Sequence, residues 1–264
     1  MLGQGTWYMA EDARRRKEEI AALRTGIDLG MTLIDTAEMY TDGQAEELVG
    51  EAIDGRRNEV FLVSKVLPQN ATEVGTVAAS ERSLNRLRTD YLDLYLLHWR
   101  GNVPLEETLE AFAALVAAGK IRHFGVSNFD TADMEELWNT PRGRSTATNQ
   151  VLYNLSRRGI EFDLIPWCQK RSMPIMAYSP IEQGRILRHP ELQAIAARHN
   201  ATAAQVALAW VIRQDGIIAI PKAGSATHVK ENRAAANLQL APEDFALLDR
   251  VFPPPNSPQP LEML

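Results

Sequence analysis

Asp35, Lys65, His98 and Gln150 each stand at or near the end of a short apolar run, and Tyr40 follows Asp35 by five residues. Five residues span at most roughly 17 Å when extended, so the segment after Asp35 can fold Tyr40 back over it. A phenol, an ammonium, a carboxylate and an imidazole gathered in one place suit proton donation to an oxygen that is gaining negative charge. A free tyrosine has a pKa near 10, too high for an effective acid at neutral pH. A neighbouring ammonium favours the tyrosinate and lowers that value. A drop of roughly two units corresponds to about 3 kcal/mol. Lys65 is expected to supply the charge, Asp35 to hold Lys65 in place, and His98 to orient a carbonyl oxygen or hydrogen-bond to Tyr40. Each residue alone has a plainer reading: Asp35 as a turn cap, Lys65 as a solvated strand end, His98 as a satisfied core histidine. Their shared position at strand ends is what favours a site. None of them is a source of electrons or hydride, so reduction chemistry would need a cofactor.

The elements that position these residues alternate along the chain. Strand-like runs are expected at Leu2–Thr6, Thr32–Asp35, Val60–Lys65, Tyr91–His98, Ile121–Val126, Ala147–Gln150, Pro174–Tyr178 and Ile217–Ile220. Helical spacing follows each. It opens at Ala10–Asp12 and ends near Gly30, then recurs at Ala45–Ile53, Glu73–Leu87, Leu105–Ala118, Thr131–Trp138, Leu164–Lys170, Thr202–Gln214 and Ala226–Ala236. Thr202 and Gln205 have the spacing of a capping box. Repeated strand–helix units imply a parallel sheet with right-handed crossovers. Eight of them in 264 residues fit a closed (β/α)8 barrel, an α/β TIM barrel, as a single domain over residues 1–264. Two extra helices are expected at Pro190–Arg198 and Pro242–Val251. The proline-rich tail Pro253–Pro258 is expected to lie over the barrel surface. The first strand begins at once, so no N-terminal hairpin covering the barrel floor is expected.

Composition narrows the partners. The net charge is -6, the pI is near 5.5, and no basic stripe appears, which argues against nucleic acid. No apolar run approaches the ~20 residues of a membrane span, and no signal peptide is visible. The lone Cys168 excludes an intramolecular disulfide and a multi-cysteine metal site. A cytoplasmic monomer is expected. The five histidines lack close metal-ligand spacing, so no metal is expected. Gly3 and Gly5 do not make a dinucleotide fingerprint, because Tyr8 takes the third glycine position.

Eight segments together resemble the aldo/keto reductase family, its small bacterial members in particular. They are Gly3–Trp7, Asp35–Tyr40, Val63–Lys65, Leu97–Trp99, Gly125–Phe129, Asn149–Gln150, Tyr178–Pro180 and Ile220–Lys222. The resemblance implies a TIM barrel that holds NADPH across its C-terminal mouth without a Rossmann domain. It implies Tyr40 as general acid, completed by Asp35, Lys65 and His98. Ser127, Asn128 and Gln150 would hold the nicotinamide carboxamide, which suits hydroxyl and amide groups. Tyr178 would stack on the nicotinamide, with Ser179, Pro180 and Ile181 beside the cofactor. Thr6, Trp7 and Asp35 would touch the ribose side. Lys222, Ser225 and His228 would surround the adenosine 2′-phosphate, and Glu231 and Asn232 the adenine.

His228 departs from the family, many of whose members carry Arg there. Arg grips phosphate through a fixed fork, whereas histidine binds it weakly and with pH dependence. NADPH preference then falls mainly to Lys222, and tolerance of NADH is left open. Short loops, such as Trp99–Pro104, imply an open, shallow pocket lined by Trp7, Tyr8, Met39 and Trp99. The expected activity is NADPH-dependent reduction of aldehydes and reactive ketones, including small dicarbonyls such as methylglyoxal. The alternatives are a sugar or ketoacid reductase of the same chemistry, a cofactor-bound binding module without catalysis, and a lyase or isomerase on the same barrel. The binding module lacks support, since no N-terminal inactivation segment is present.

Overall fold

The structure, a computed structural model, describes residues 1–264. Eight parallel strands run in sequence order: β1 (Gln4–Gly5), β2 (Leu33–Asp35), β3 (Phe61–Val66), β4 (Leu92–Leu97), β5 (Ile121–Ser127), β6 (Asn149–Leu152), β7 (Ile175–Tyr178) and β8 (Ile217–Ala219). Parallel bridges from Leu2 to Ala219 and from Gly5 to Lys222 join the last strand back to the first. The Gly3 amide donates to Ala219 O at 2.8 Å and the Gly5 amide to Pro221 O at 3.1 Å. The sheet thus closes into the expected barrel.

Helices α1 (Arg16–Asp28), α2 (Gln44–Ala52), α3 (Glu73–Leu87), α4 (Leu105–Ala117), α5 (Thr131–Asn139) and α6 (Leu164–Gln169) return the chain between strands. After β7 come α7 (Pro190–Arg198) and α8 (Ala203–Val211); after β8 come α9 (Ala226–Ala234) and α10 (Pro242–Val251). The capping box of α8 is present, with Thr202 Oγ1 accepting from the Gln205 amide and Gln205 Oε1 from the Thr202 amide. No helix is long and apolar enough to cross a membrane.

Two apolar layers hold this arrangement. Leu33, Val63, Leu94, Leu96, Met176 and Ile220 fill the barrel interior. A far larger set packs the strands against the helices. Alternation along each strand assigns the faces: on β3, Val63 and Lys65 share the inward parity and Leu62 packs outward. Phe61 has the same parity as Val63 at the strand's N-terminal end and is 36% exposed.

Some boundaries differ from expectation. Helix α1 starts at Arg16 because Asp12 caps a separate 3-10 turn, Ala13–Arg15, and accepts from the Arg14 amide. Strand β6 is shifted toward its C-terminus, since Val151 and Leu152 pair with Ala177 and Tyr178. Tyr40 lies on the expected loop, which tightens at Tyr40–Gly43 into an irregular turn with left-handed backbone at Thr41 and Asp42. The run Pro253–Pro258 lies at the surface as expected, and the residues beyond it carry Met263 and Leu264 to the barrel mouth.

Candidate active site

The strand ends converge on a cavity of about 810 Å³ at the C-terminal face of the barrel. Lys65, on β3, is fully buried, and its ammonium makes three hydrogen bonds. It donates to Asp35 Oδ2 at 2.8 Å, to Thr36 O at 2.9 Å and to the Tyr40 phenol oxygen at 2.9 Å. Asp35, at the end of β2, spends its other oxygen on Gln150 Nε2 at 2.7 Å. Carboxylate, ammonium and amide are therefore mutually satisfied, which buried polar groups require.

Tyr40 is held from its own loop. The residues after it, Thr41, Asp42 and Gly43, all take left-handed backbone angles, with φ of 48°, 51° and 86°. That is costly for a β-branched threonine. Thr41 Oγ1 offsets part of the cost by donating to Met9 O at 2.9 Å. Gly43 suits the bend twice over: its φ is positive, and a Cβ there would stand 2.6 Å from the Arg86 side chain. On the near side, Glu38 Oε1 accepts from the Leu67 amide at 2.8 Å and Asn70 Nδ2 at 2.9 Å, clipping the Tyr40 loop to the exit of β3.

The electrostatics revise one expectation. Burial is the largest influence on Tyr40 and pushes its pKa up. Lys65 opposes that, Asp35 adds to it, and the balance stays above the ordinary value. The predicted depression is thus not found; desolvation outweighs the ammonium. Lys65 keeps its charge: burial works against it, but Asp35 and Tyr40 overcome that, and its pKa is raised. The phenol is a fully protonated donor whose product anion would form 2.9 Å from a fixed cation.

His98, just past the end of β4, lines the same cavity and is buried. Burial first, then Lys65, lowers its pKa to about 2, so it is neutral at physiological pH. Its Nδ1 is buried without a partner. Of the two roles expected for His98, the hydrogen bond to Tyr40 is absent, and the two rings meet edge-on with centroids 5.8 Å apart.

The groups expected around a nicotinamide adjoin this cluster at the ends of β5, β6 and β7. Ser127 Oγ donates to Gln150 O at 2.9 Å, Asn128 Nδ2 to His98 O at 3.1 Å, and the Tyr178 hydroxyl to Asn128 Oδ1 at 2.9 Å. Thr6, Trp7, Asp35, Ser179, Pro180, Ile181 and Lys222 also line the cavity. Hydroxyl and amide groups beside a half-buried tyrosine ring fit a carboxamide-bearing aromatic ring, and the Lys222 ammonium in the same lining fits a phosphate. Ser225, His228, Glu231 and Asn232 lie outside the lining, Ser225 at the cap of α9 and the other three within that helix. There Ser225 caps the helix, accepting from the His228 amide at 3.4 Å. The His228 side chain is exposed, Glu231 is half-buried, and Asn232 is buried.

Trp7, Tyr8, Met39 and Trp99, the expected substrate wall, all line the cavity, with Trp7 and Tyr8 stacked at 4.5 Å. Sequence reasoning missed Gln183, Gly184, Ile220, Pro221, Met263 and Leu264, which line it as well. Pro221 could have been found, since it sits inside the quoted Ile220–Lys222 segment. The tail residues carry no local signal. They reach the mouth because Arg157 pairs with both Glu262 of the tail and Glu182 of the loop after β7.

A profile described as the aldo/keto reductase family matches residues 1–252. The chain is 56% identical over 268 residues to methylglyoxal reductase YeaE of Escherichia coli (strain K12), covering 100% of this chain and 94% of that one. It is 36% identical over 235 residues to a glyoxal reductase of Bacillus subtilis (strain 168), covering 88% and 83% respectively. Among solved structures, an aldo/keto reductase from Klebsiella pneumoniae in complex with NADP and acetate matches with a TM-score of 0.98 at 56% identity, over 100% of this chain and 95% of that one.

Proposed function

The chain belongs to the aldo/keto reductase family, and from that premise we propose that it reduces aldehydes and reactive ketones to alcohols with NADPH. Small dicarbonyls such as methylglyoxal are the substrates its relatives' names point to. The reduced nicotinamide, when bound, supplies the hydride. Everything else falls to side chains of the chain. Tyr40 passes its phenolic proton to the carbonyl oxygen. Lys65 Nζ stabilises the phenolate left behind, and Asp35 keeps that ammonium charged and aimed. His98 donates from Nε2 to the same carbonyl oxygen without adding charge. Ser127, Asn128 and Gln150 hold the carboxamide, Tyr178 packs against the ring, and Thr6 and Trp7 meet the ribose. Lys222, Ser225 and His228 face the 2′-phosphate, with Glu231 and Asn232 at the adenine.

The observation that carries the reading is the 2.9 Å bond from a buried ammonium to a buried phenol at the floor of an open cavity. The substrate wall favours small carbonyls over sugars or ketoacids. Trp7, Tyr8, Met39, Trp99 and Leu264 offer apolar contact, where a sugar would need a ring of hydrogen-bonding partners and a ketoacid a fixed cation. A single barrel domain acting as a cytoplasmic monomer, without nucleic acid, completes the proposal.

The test is loss of nicotinamide absorbance with a panel of carbonyls. Turnover of methylglyoxal and simple aldehydes with NADPH is expected, well ahead of aldoses and ketoacids. Cofactor binding without turnover of any carbonyl would instead favour a binding module.

A further inference from the structure

Lys222, which lines the cavity, has a second cation beside it. Arg15, in the 3-10 turn that leads into α1, reaches across to the loop after β8, where its Nη2 donates to Gly224 O at 3.4 Å. A Cβ placed on Gly224 would stand 2.8 Å from Arg15 Nη2 and 3.3 Å from Lys222 Nζ. The two positive nitrogens are therefore at most about 6 Å apart, close enough to repel. Neither is firmly neutralised. Lys222 has only Glu19 Oε1 at 4.0 Å, and that carboxylate already accepts from the Ala10 amide at 2.9 Å. Arg15 has only Glu18 at 3.2 Å, a pair with both side chains about half exposed, of the sort that contributes little. Both cations converge on a glycine two residues before helix α9 begins, where helical amides and the Ser225 hydroxyl add donors for an anion.

We propose that Arg15 is a specificity-determining residue that grips the cofactor's 2′-phosphate together with Lys222. The proposal rests on the reading of Lys222 as the phosphate contact, and it shifts the charge expected at position 228 to a different element. His228, where many family members carry Arg, and Arg15 are both exposed and off the cavity lining, but Arg15 is the one whose guanidinium reaches Gly224 beside Lys222, from the turn before α1. The fork of the guanidinium spans two phosphate oxygens, and Lys222 adds a point charge. Gly224 has no side chain, so the anion can sit between them. On binding, Arg15 gives up Glu18, which solvent then hydrates.

The test is equilibrium binding of NADP+ and NAD+ by quenching of tryptophan fluorescence, with no turnover. Arg15→Met is expected to weaken NADP+ about tenfold and to leave NAD+ within about twofold. Arg15→Lys should recover part of the loss, and Glu18→Gln should tighten NADP+ slightly. Lys222→Met run alongside separates the two layers. A loss in Lys222→Met with none in Arg15→Met overturns the role of Arg15 and keeps the phosphate corner. No loss in either overturns both. Equal losses of NADP+ and NAD+ in Arg15→Met would make Arg15 a structural support of the β8 loop, and would also overturn the proposal. The Arg15 side chain is about half exposed and its pairing with Glu18 is weak, so thermal unfolding of the variant should match that of the parent chain.

Discussion

The cluster at the ends of β2, β3 and β4 and the corner between α1 and α9 both hold positive charge, but they hold it in opposite ways. In the first, Lys65 has no exposure and three hydrogen bonds, each acceptor fixed by its own neighbours. In the second, Arg15 and Lys222 are partly exposed, loosely paired and close to each other. Burial makes the first cluster strong and intolerant: every member needs every other, because a buried charge without its partner is expensive. Exposure makes the second adjustable: cations can be moved between elements at little cost to folding. A family built this way can hold its chemistry fixed while cofactor preference drifts.

The largest effect is expected where the comparison is sharpest. Lys65→Met leaves Asp35 buried and uncompensated, and should cost about 3–5 kcal/mol of stability as well as turnover. The double variant Lys65→Met/Asp35→Asn should be more stable than the single one in urea denaturation. A single variant that loses less than about 1 kcal/mol would mean that the buried cluster behaves like a surface pair.

Next comes Tyr40→Phe, which removes one hydroxyl. Carbonyl reduction should fall at least about a hundredfold, while cofactor titration stays nearly unchanged. Because the phenol's pKa lies above its ordinary value, the parent enzyme's rate should show no loss from tyrosine ionisation below about pH 10. A rate that declines through neutral pH because the phenol ionises would show that Lys65 wins over burial after all.

His98 gives a smaller effect, with a defined sign. Folded, it resists protonation down to about 2; unfolded, it takes a proton near 6.5. Below 6.5 the unfolded chain binds more protons, so stability falls as pH drops through the range from 6.5 toward 2. The slope from this one group is about 1.4 kcal/mol per pH unit, or about 2 kcal/mol between pH 6.5 and 5. His98→Gln should flatten that part of the stability–pH curve, as read by denaturation midpoints at pH 7 and 5. A variant that follows the parent curve would show that His98 is solvated enough to titrate normally.

The smallest change is expected at the exposed corner. His228→Arg adds a charge at an exposed position and should tighten NADP+ by at most about 1 kcal/mol, with melting temperature unchanged. A gain much beyond that would place His228 closer to the phosphate than its exposure suggests, and would blur the contrast between the two regions.

The order of the elements was legible because alternation and helical spacing repeat eight times. The helix α3 was placed to the residue, Glu73–Leu87, where Thr72 supplies the cap. The meeting of Asp35, Lys65, Tyr40, His98 and Gln150 could be anticipated from strand ends alone. The sign of the shift on Tyr40 could not, since it depends on how deeply the ring is buried relative to one charge. Thr41 and Asp42 gave no warning of left-handed backbone, which local preference disfavours and tertiary contacts impose. Arg15 was hidden in the run Arg14–Arg15–Arg16, where nothing local separates the residue that crosses to Gly224 from its neighbours. Met263 and Leu264 were invisible for the same reason, since the ion pair of Arg157 with Glu262 that guides them spans more than a hundred residues.

The closing bonds of the barrel have a consequence for how the chain reaches this shape. Gly3 and Gly5 bond to Ala219 and Pro221, partners that lie more than two hundred residues away. Contacts of such sequence separation form late, because the loop entropy of joining them comes before any reward. Until β8 exists, β1 is one open edge of an unfinished sheet, and an open edge is a template for pairing with other chains. Strand β1 is only two residues long, which limits that edge. During synthesis the molecule is thus at its most vulnerable just before its last strand arrives, and a truncation before Ile217 should leave a chain that aggregates rather than one that folds with a gap.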